Sequence, residues 1–171
     1  MALEEVAPGV AADGNGLVLW VPAGGIADVE APTVAELTDP DVVPLTYSLT
    51  PDGFRQETTE NVITSGRYTL KQIIEIPGTV LDAIEVQYVY TGTASDTARL
   101  TLEAGVNGYI VHRLGYPNET GIAAAQIVDV IPVTAGIQRK VPPVANSELQ
   151  RVQKLTVRAA IGRDVAVVSG G

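Results

Sequence analysis

The chain has 171 residues, of which 46% are hydrophobic and 18% are charged, and its formal net charge is -9. This composition is typical of one folded domain with a substantial core, and it excludes disorder throughout. The absence of cysteine excludes disulfides and thiolate metal sites, and the acidic balance argues against a surface that grips nucleic acid.

The N-terminal part predicts an arm, a strand and a short helical segment. Residues 1–15 are small, acidic and rich in glycine and alanine, so we expect an extended arm. The apolar run at residues 17–21 predicts a buried strand with Trp20 in the core. Thr33 and Glu36 have the spacing of a capping box, which favours a short helix over residues 32–38, although a turn fits as well.

A long loop is predicted between the next two regular patterns. Residues 45–50 alternate apolar and hydroxyl side chains and predict a strand. Residues 51–66 begin with Pro-Asp-Gly and show little periodicity, so we expect a connection of unusual length. Either this loop lies on the surface and is pinned to the core by Phe54, or it is an arm that reaches a neighbouring subunit.

The most regular alternation covers residues 67–90 and is interrupted at Pro77-Gly78. It predicts a hairpin that connects at Pro77-Gly78, by a turn slightly longer than two residues, with one apolar and one polar face. The predicted apolar face contains Tyr68, Leu70, Ile74, Ile76, Val80, Ile84, Val86, Tyr88 and Tyr90, and the polar face contains Arg67, Thr69, Lys71, Glu75, Glu85 and Gln87.

The second half of the chain predicts one helix and further strands. Residues 94–104 have helical spacing, with Thr93 or Ser95 as the N-cap and Gly105 as the terminating residue. Strands are predicted over residues 106–115, 126–133, 149–159 and 164–168. The fold class is therefore mainly β, a sandwich or barrel with one flanking helix.

Residues that could carry catalysis are scarce. His112 is the only histidine and lies within a predicted strand, where we interpret it as structural. No glycine-rich phosphate-binding motif occurs. We therefore predict that the chain is not an enzyme and has no catalytic residues, metal site or cofactor.

Charge is distributed unevenly along the chain. Residues 1–60 contain eleven acidic residues and one basic residue, whereas the remainder contains nine acidic and ten basic residues. The pattern indicates either an ordinary solvated surface or an acidic end that meets the basic end of another copy, head to tail. The candidate basic interface consists of Arg139, Lys140, Arg151 and Lys154.

Several segments, in one order along residues 25–168, together resemble a known family. They read GIADVEAPTVAELT, LTYSLTPDGF, LKQIIEIPG with VQYVY, GYIVHR, QRKVPPVANSELQRVQKL and GRDVAV. In this order they resemble the major tail protein of long-tailed actinobacteriophages, which is the tail tube subunit.

The resemblance implies a single tail tube domain over residues 16–171, with the arm at 1–15 and the long loop at 51–66. Such subunits form rings, commonly of six, that stack into the tube through which genomic DNA passes. The implied partners are further copies of the chain and the tape measure, tail terminator and tail tip proteins, with DNA passing without tight binding. The implied location is the virion tail, assembled in the bacterial cytoplasm without a membrane.

The resemblance also assigns candidate surfaces. Residues 51–66 become the candidate inter-ring loop, and the polar side of the 67–90 segment becomes the candidate lumen face, where Arg67 and Lys71 depart from a uniformly acidic wall. The loop residues are Asp52, Phe54, Arg55, Glu57 and Glu60, and the lumen residues are Lys71, Glu75, Glu85 and Gln87. The alternative function is a β-sandwich binding module of the tail tip or a carbohydrate-binding domain, for which Tyr109 and Tyr116 are the candidate exposed aromatic residues.

Overall fold

The computed structural model of the chain describes residues 5–69, 71–92 and 94–170. Strands account for 46% of the protein, and the described part contains two short α-helices, which confirms the predicted mainly β class. No helix in the described part is both long and apolar enough to cross a membrane.

The strands form one antiparallel sheet with the order β2-β1-β5-β6-β8-β4-β3, while β7 pairs with β8 and β9 pairs with β6. The helices are α1 (Val34–Leu37) and α2 (Thr97–Thr101). The strands are β1 (Gly16–Pro22), β2 (Val43–Pro44), β3 (Leu49–Ser65), β4 (Ile74–Val89), β5 (Asn107–Leu114), β6 (Ile127–Ala135), β7 (Arg139–Lys140), β8 (Gln150–Val157) and β9 (Gly162–Ala166).

The open sheet is strongly curled. Phe54 lies on the end strand β3 and His112 on β5, yet their ring centroids are 4.5 Å apart. The end of the sheet therefore curves back over its own middle, which gives the barrel-like form.

The curled face encloses the first core, which α2 closes. Trp20 is 2% exposed, and this confirms its predicted place in the core. Ala98 and Leu102, at the two ends of α2, are fully buried against the sheet. The other buried members of this core are Val18, Leu45, Ile84, Val86, Tyr88, Ile110, Ile131, Val133, Ala135 and Leu155.

A second core covers the opposite face of β1, β5 and β6. Leu37 of α1 and Ile26 pack there, together with Val165 of β9. The capping box is present: the Glu36 amide donates to the Thr33 hydroxyl at 3.2 Å, and the Thr33 amide donates to the Glu36 carboxylate at 2.8 Å. The helical interpretation of residues 32–38 is therefore correct, over a shorter range.

The helix predicted over residues 94–104 is limited to Thr97–Thr101. Its N-cap is Asp96, whose carboxylate accepts a hydrogen bond from the Arg99 amide at 3.3 Å. Ser95 precedes the helix, and Thr93 lies outside the described residues. The predicted N-cap at Thr93 or Ser95 is therefore wrong, and the cap is Asp96, two residues before the buried Ala98.

The strand predicted over residues 45–50 is wrong for its first half, because Thr46–Ser48 forms a 3₁₀-helix. The Leu45 amide donates to the Val18 carbonyl at 2.9 Å, and the Val18 amide donates to the Thr46 hydroxyl at 2.9 Å. These hydrogen bonds connect the segment to β1 locally, and Tyr47 is left 73% exposed.

The long loop predicted at residues 51–66 is also wrong, because residues 51–65 belong to the 17-residue strand β3. The Pro-Asp-Gly segment forms a bulge in β3 instead of a turn. Leu49 pairs with Tyr88 and Phe54 pairs with Val86, so residues 50–53 of β3 lie opposite Gln87 alone. A Cβ atom on Gly53 would collide with the Gln87 carbonyl oxygen, so glycine permits this close approach.

Pro77-Gly78 does not connect two strands, since both residues lie inside β4. The register shifts between Glu60, which pairs with Val80, and Val62, which pairs with Pro77, so β4 carries one extra residue there. This bulge accommodates a proline, and a Cβ atom on Gly78 would approach the Asn61 carbonyl oxygen to 2.7 Å. The hairpin therefore consists of β3 and β4, and its turn lies between Ser65 and Ile74.

The buried Leu155 of β8 provides a test of the first core. We expect Leu155→Ala to lower the free energy of unfolding by about 2–5 kcal/mol, because the side chain is fully buried and leaves a cavity. The control Leu149→Ala, at a position that is 52% exposed, should change it by less than about 0.5 kcal/mol. Urea denaturation of both variants measures the difference, and equal effects would contradict this core assignment.

Candidate assembly surface

The β3–β4 hairpin has a buried root and a projecting end. In the root, Ile84, Val86 and Tyr88 are at most 1% exposed. Residues 57–65 and 74–83, which we call the distal hairpin, are exposed at nearly every position. At about 3.4 Å per residue, a nine-residue stretch of strand is about 30 Å long.

The distal hairpin exposes apolar side chains on both of its faces. Their exposed fractions range from 49% for Ile76 to 65% for Leu81. A two-stranded ribbon in water is marginally stable at best, and contiguous exposed apolar surface is typical of interaction sites. The six large residues are Val62, Ile63, Ile74, Ile76, Val80 and Leu81.

Of the predicted apolar face of residues 67–90, only Ile84, Val86 and Tyr88 are buried; Tyr90 is half-buried, Tyr68 is exposed and Leu70 is outside the described residues.

Asp82 fixes the base of the distal hairpin to the folded body. Its carboxylate accepts hydrogen bonds from Arg163 Nη2 at 2.6 Å and from the Thr58 hydroxyl at 2.7 Å. Burial alone would raise the pKa of Asp82, but the hydrogen bonds from Arg163 and Thr58 outweigh that effect and lower it. The ion pair joins β4 to β9, which are distant in the chain.

All three predicted surfaces meet at Glu85. Arg55 lies 3.8 Å from one carboxylate oxygen of Glu85, and Arg139 donates to the other at 3.3 Å. Lys154 of β8 is the register partner of Glu85. The sheet thus brings together a residue of the candidate lumen face, one of the candidate loop and two of the candidate basic interface.

The candidate lumen residues do not form one patch. Glu75 pairs with Thr64 and Glu85 pairs with Arg55. Thr64 and Arg55 are an odd number of positions apart on β3, so Glu75 and Glu85 lie on opposite faces of the hairpin. Lys71 lies in the turn at the far end, whereas the Gln87 side chain donates to Gln150 at 2.6 Å near the root.

The remaining candidate residues differ in how accessible they are. Arg151 lies over the Tyr90 ring at 4.6 Å and donates to Gln138, so its charge is directed into the protein. Phe54 is half-buried against the core. The exposed candidates are Asp52, Glu57, Glu60 and Lys140.

Arg113 is a structural residue that the sequence reasoning missed. It is fully buried, and its guanidinium donates to Gln126 Oε1 at 3.0 Å and to the carbonyls of Pro117 and Gly121. Burial lowers the pKa of Arg113. The side chain holds the segment between β5 and β6 in place. The sequence signal for this role is spacing: Arg113 is two residues from the apolar Val111 on β5, so the two side chains lie on the same face.

Of the other groups singled out in the sequence, His112 and Tyr109 are half-buried and Tyr116 is exposed. Burial lowers the pKa of His112, with Asp129 opposing that shift, and its ring lies against Phe54. The guanidinium carbons of Arg158 and Arg113 lie 5.3 and 5.5 Å from the ring centroids of Tyr109 and Tyr116. Among the described residues, no group of three or more histidine or acidic side chains is placed to hold a metal ion.

A family model described as phage tail tube protein matches residues 5–170. The chain belongs to the phage tail tube protein family. The match confirms the resemblance to tail tube subunits and a place among the structural proteins of the phage tail, whereas the restriction to actinobacteriophages stays a prediction.

A chain in a solved structure supports the fold of this tail tube protein. It comes from the baseplate of the anti-feeding prophage, solved by cryo-EM and six-fold symmetrised, and it superposes with a TM-score of 0.57 at 11% sequence identity. The alignment covers 92% of this chain and 97% of the other. No curated protein sequence matches this chain.

Asp82→Asn tests the attachment of the hairpin in this tail tube protein. A carboxylate whose pKa is lower in the folded state stabilises the fold above its unfolded pKa of about 3.9, and this stability is lost as the pH falls through the folded pKa. At neutral pH we expect the variant to lose about 1 kcal/mol of unfolding free energy.

Urea denaturation as a function of pH measures the effect, and the difference from the parent protein should shrink below about pH 4. The control is Asp52→Asn, at an exposed position for which no ion pair occurs among the described residues. An Asp82→Asn difference of the same size in strong acid would contradict the role of the charge.

Proposed function

We propose that this protein is the tail tube subunit of a long-tailed phage, and that it assembles with itself into stacked rings through which the genome is delivered. The observation that carries the proposal is the distal hairpin: apolar side chains project on a ribbon that its own folded body does not cover. Membership of the tail tube family supports the same role.

The geometry favours head-to-tail contacts. The distal hairpin and the basic residues around β7 and β8 are different surfaces of one chain, so a contact between them is heterologous. Heterologous contacts close into rings when the rotation between copies permits it, and they continue as filaments when it does not. The six-fold symmetrised baseplate that contains a similar fold supports rings of six.

The distal hairpin replaces the loop as the proposed inter-ring arm. Glu57 and Glu60 of the original candidate set lie on it, whereas Phe54 and Arg55 belong to its root. Asp52 lies in the bulge at the root. The exposed residues of the N-terminal arm, up to residue 14, are the second candidate for contacts between rings.

The proposed duct for DNA requires a wall that does not bind phosphate strongly. Salt-dependent contacts along the tube would slow the genome, whereas net acidity repels it. The net charge of -9 is consistent with such a wall. We propose Glu85 and Gln87 for the lumen face, with Arg55 and Arg139 neutralising Glu85, and Lys71 and Glu75 for its rim.

The role is structural rather than enzymatic. The subunit would be assembled in the cytoplasm of the bacterial host, by our proposal an actinobacterium, and would become part of the virion tail. Its other partners would be the tape measure, tail terminator and tail tip proteins.

Removal of the distal hairpin tests this function. Glu60 and Val80 are register partners, so residues 61–79 can be replaced by Asn-Gly, which favours a two-residue hairpin turn. We expect the shortened protein to keep its unfolding free energy to within about 1 kcal/mol, because the deleted part lies outside both cores. Electron microscopy should show rings and tubes for the parent protein and none for the shortened protein.

A deletion of residues 1–12 is the parallel variant and separates the two candidate arms. Loss of tubes in this variant alone would move the inter-ring role to the N-terminal arm. Tubes of normal appearance from the shortened hairpin would refute the role of the distal hairpin.

A further inference from the structure

We infer that the distal hairpin of one copy docks into a groove at the hairpin root of the next copy. This root groove has a volume of about 520 Å³ and lies between β4 and the β8–β9 connection. It is lined chiefly by Leu81, Lys154, Ala159, Ala160, Ile161 and Arg163. The inference rests on the proposed self-assembly and specifies the two surfaces that meet.

The root groove offers an apolar floor. Ala159 and Ala160 are exposed, and Ile161 is half-buried against the first core. Leu81 contributes a side chain that is 65% exposed. The volume is within the range of about 300–1,000 Å³ found for clefts that bury ligands, so several apolar side chains fit into it.

The root groove is lined by two bases, Lys154 and Arg163, and one acid, Asp82, whereas the outer part of the distal hairpin is acidic. Lys154 lies in no ion pair within the described part of the chain. Glu60 and Glu75 of the distal hairpin are exposed and equally unpaired among the described residues. Arg163 is paired with Asp82, which also lines the groove, so Lys154 is the base that remains for a partner. Complementary charges of this kind set the orientation in which two copies meet.

The outer apolar residues of the distal hairpin match this floor but do not reach the groove of their own chain, which Val80 and Leu81 line. Ile63 and Ile76 are register partners, so their side chains lie side by side. Ile76 is four residues along β4 from Val80, which lines the groove, and at about 3.4 Å per residue this separation is about 14 Å. A paired ribbon does not fold back on itself over that length, so the occupant is a second copy.

Cysteine cross-linking tests the docking, because the chain contains no cysteine of its own. A tagged Ile76→Cys protein is mixed with an untagged Ala160→Cys protein and treated with a short bismaleimide. We expect a cross-linked heterodimer, which can arise only between copies. The control replaces Ala160→Cys with Ala124→Cys, another exposed alanine, and should give no heterodimer.

A second variant fills the root groove. Ala160→Trp places a large side chain at an exposed position, so folding should be kept, and self-association measured by sedimentation should weaken about tenfold or more. Ala124→Trp should associate like the parent protein. Unchanged association of a folded Ala160→Trp protein would overturn the docking.

The outcomes separate the two proposals. Rings or tubes that form without the Ile76–Ala160 cross-link overturn the docking and leave the tube function intact. A protein that stays monomeric at every concentration and salt condition overturns both. Cross-linking between Ile76→Cys and Ala160→Cys, together with weaker self-association of the Ala160→Trp protein, supports both.

Discussion

The pairing of β4 with β8 in the first core is the interaction on which the other features depend. Tyr88 of β4 donates to the fully buried Gln153 of β8 at 3.3 Å, and burial raises the pKa of Tyr88 to about 12. The Gln153 amide donates in turn to the carbonyls of Leu102 and Gly136, which attaches α2 and the bend after β6. Because an unpaired polar group in this position would be costly, the network fixes the register of β4. The buried half of β4 therefore determines the direction in which the projecting half extends.

The β3–β4 hairpin contains two bulges, and they allow it to be buried at its root and exposed at its distal end. The bulge before Phe54 lets β3 turn its first residues away from the ladder, and the bulge at Pro77-Gly78 exchanges the faces of β4 beyond it. A strand that alternates without interruption would present one apolar face along its whole length. Here the apolar residues are divided between the cores, which lie within one chain, and the distal hairpin, which leaves a second apolar surface exposed.

Most of the body was predictable from the sequence, whereas the hairpin was not. The apolar run of β1 and the alternation in β5 gave the correct strands because these strands contact the cores, and Thr33 with Glu36 identified α1 locally. β3 has no periodicity because neither face of its outer half is buried, so it was read as a loop. Proline and glycine occur in turns and in bulges alike, which explains the misplaced connection at Pro77-Gly78. The contact of Asp82 with Arg163 joins residues far apart in the chain, so no local sequence pattern predicts it.

β3 is the end strand of the sheet, and its outer edge has no ladder partner among the described residues. An open strand edge beside exposed isoleucines is a template for uncontrolled pairing of newly made chains. Glu57 and Glu60 lie exposed on that strand. When the β3 edges of two copies approach in the same orientation, these like charges repel each other and disfavour edge-to-edge pairing. If the proposed assembly holds, correct growth and aggregation compete for the same ribbon.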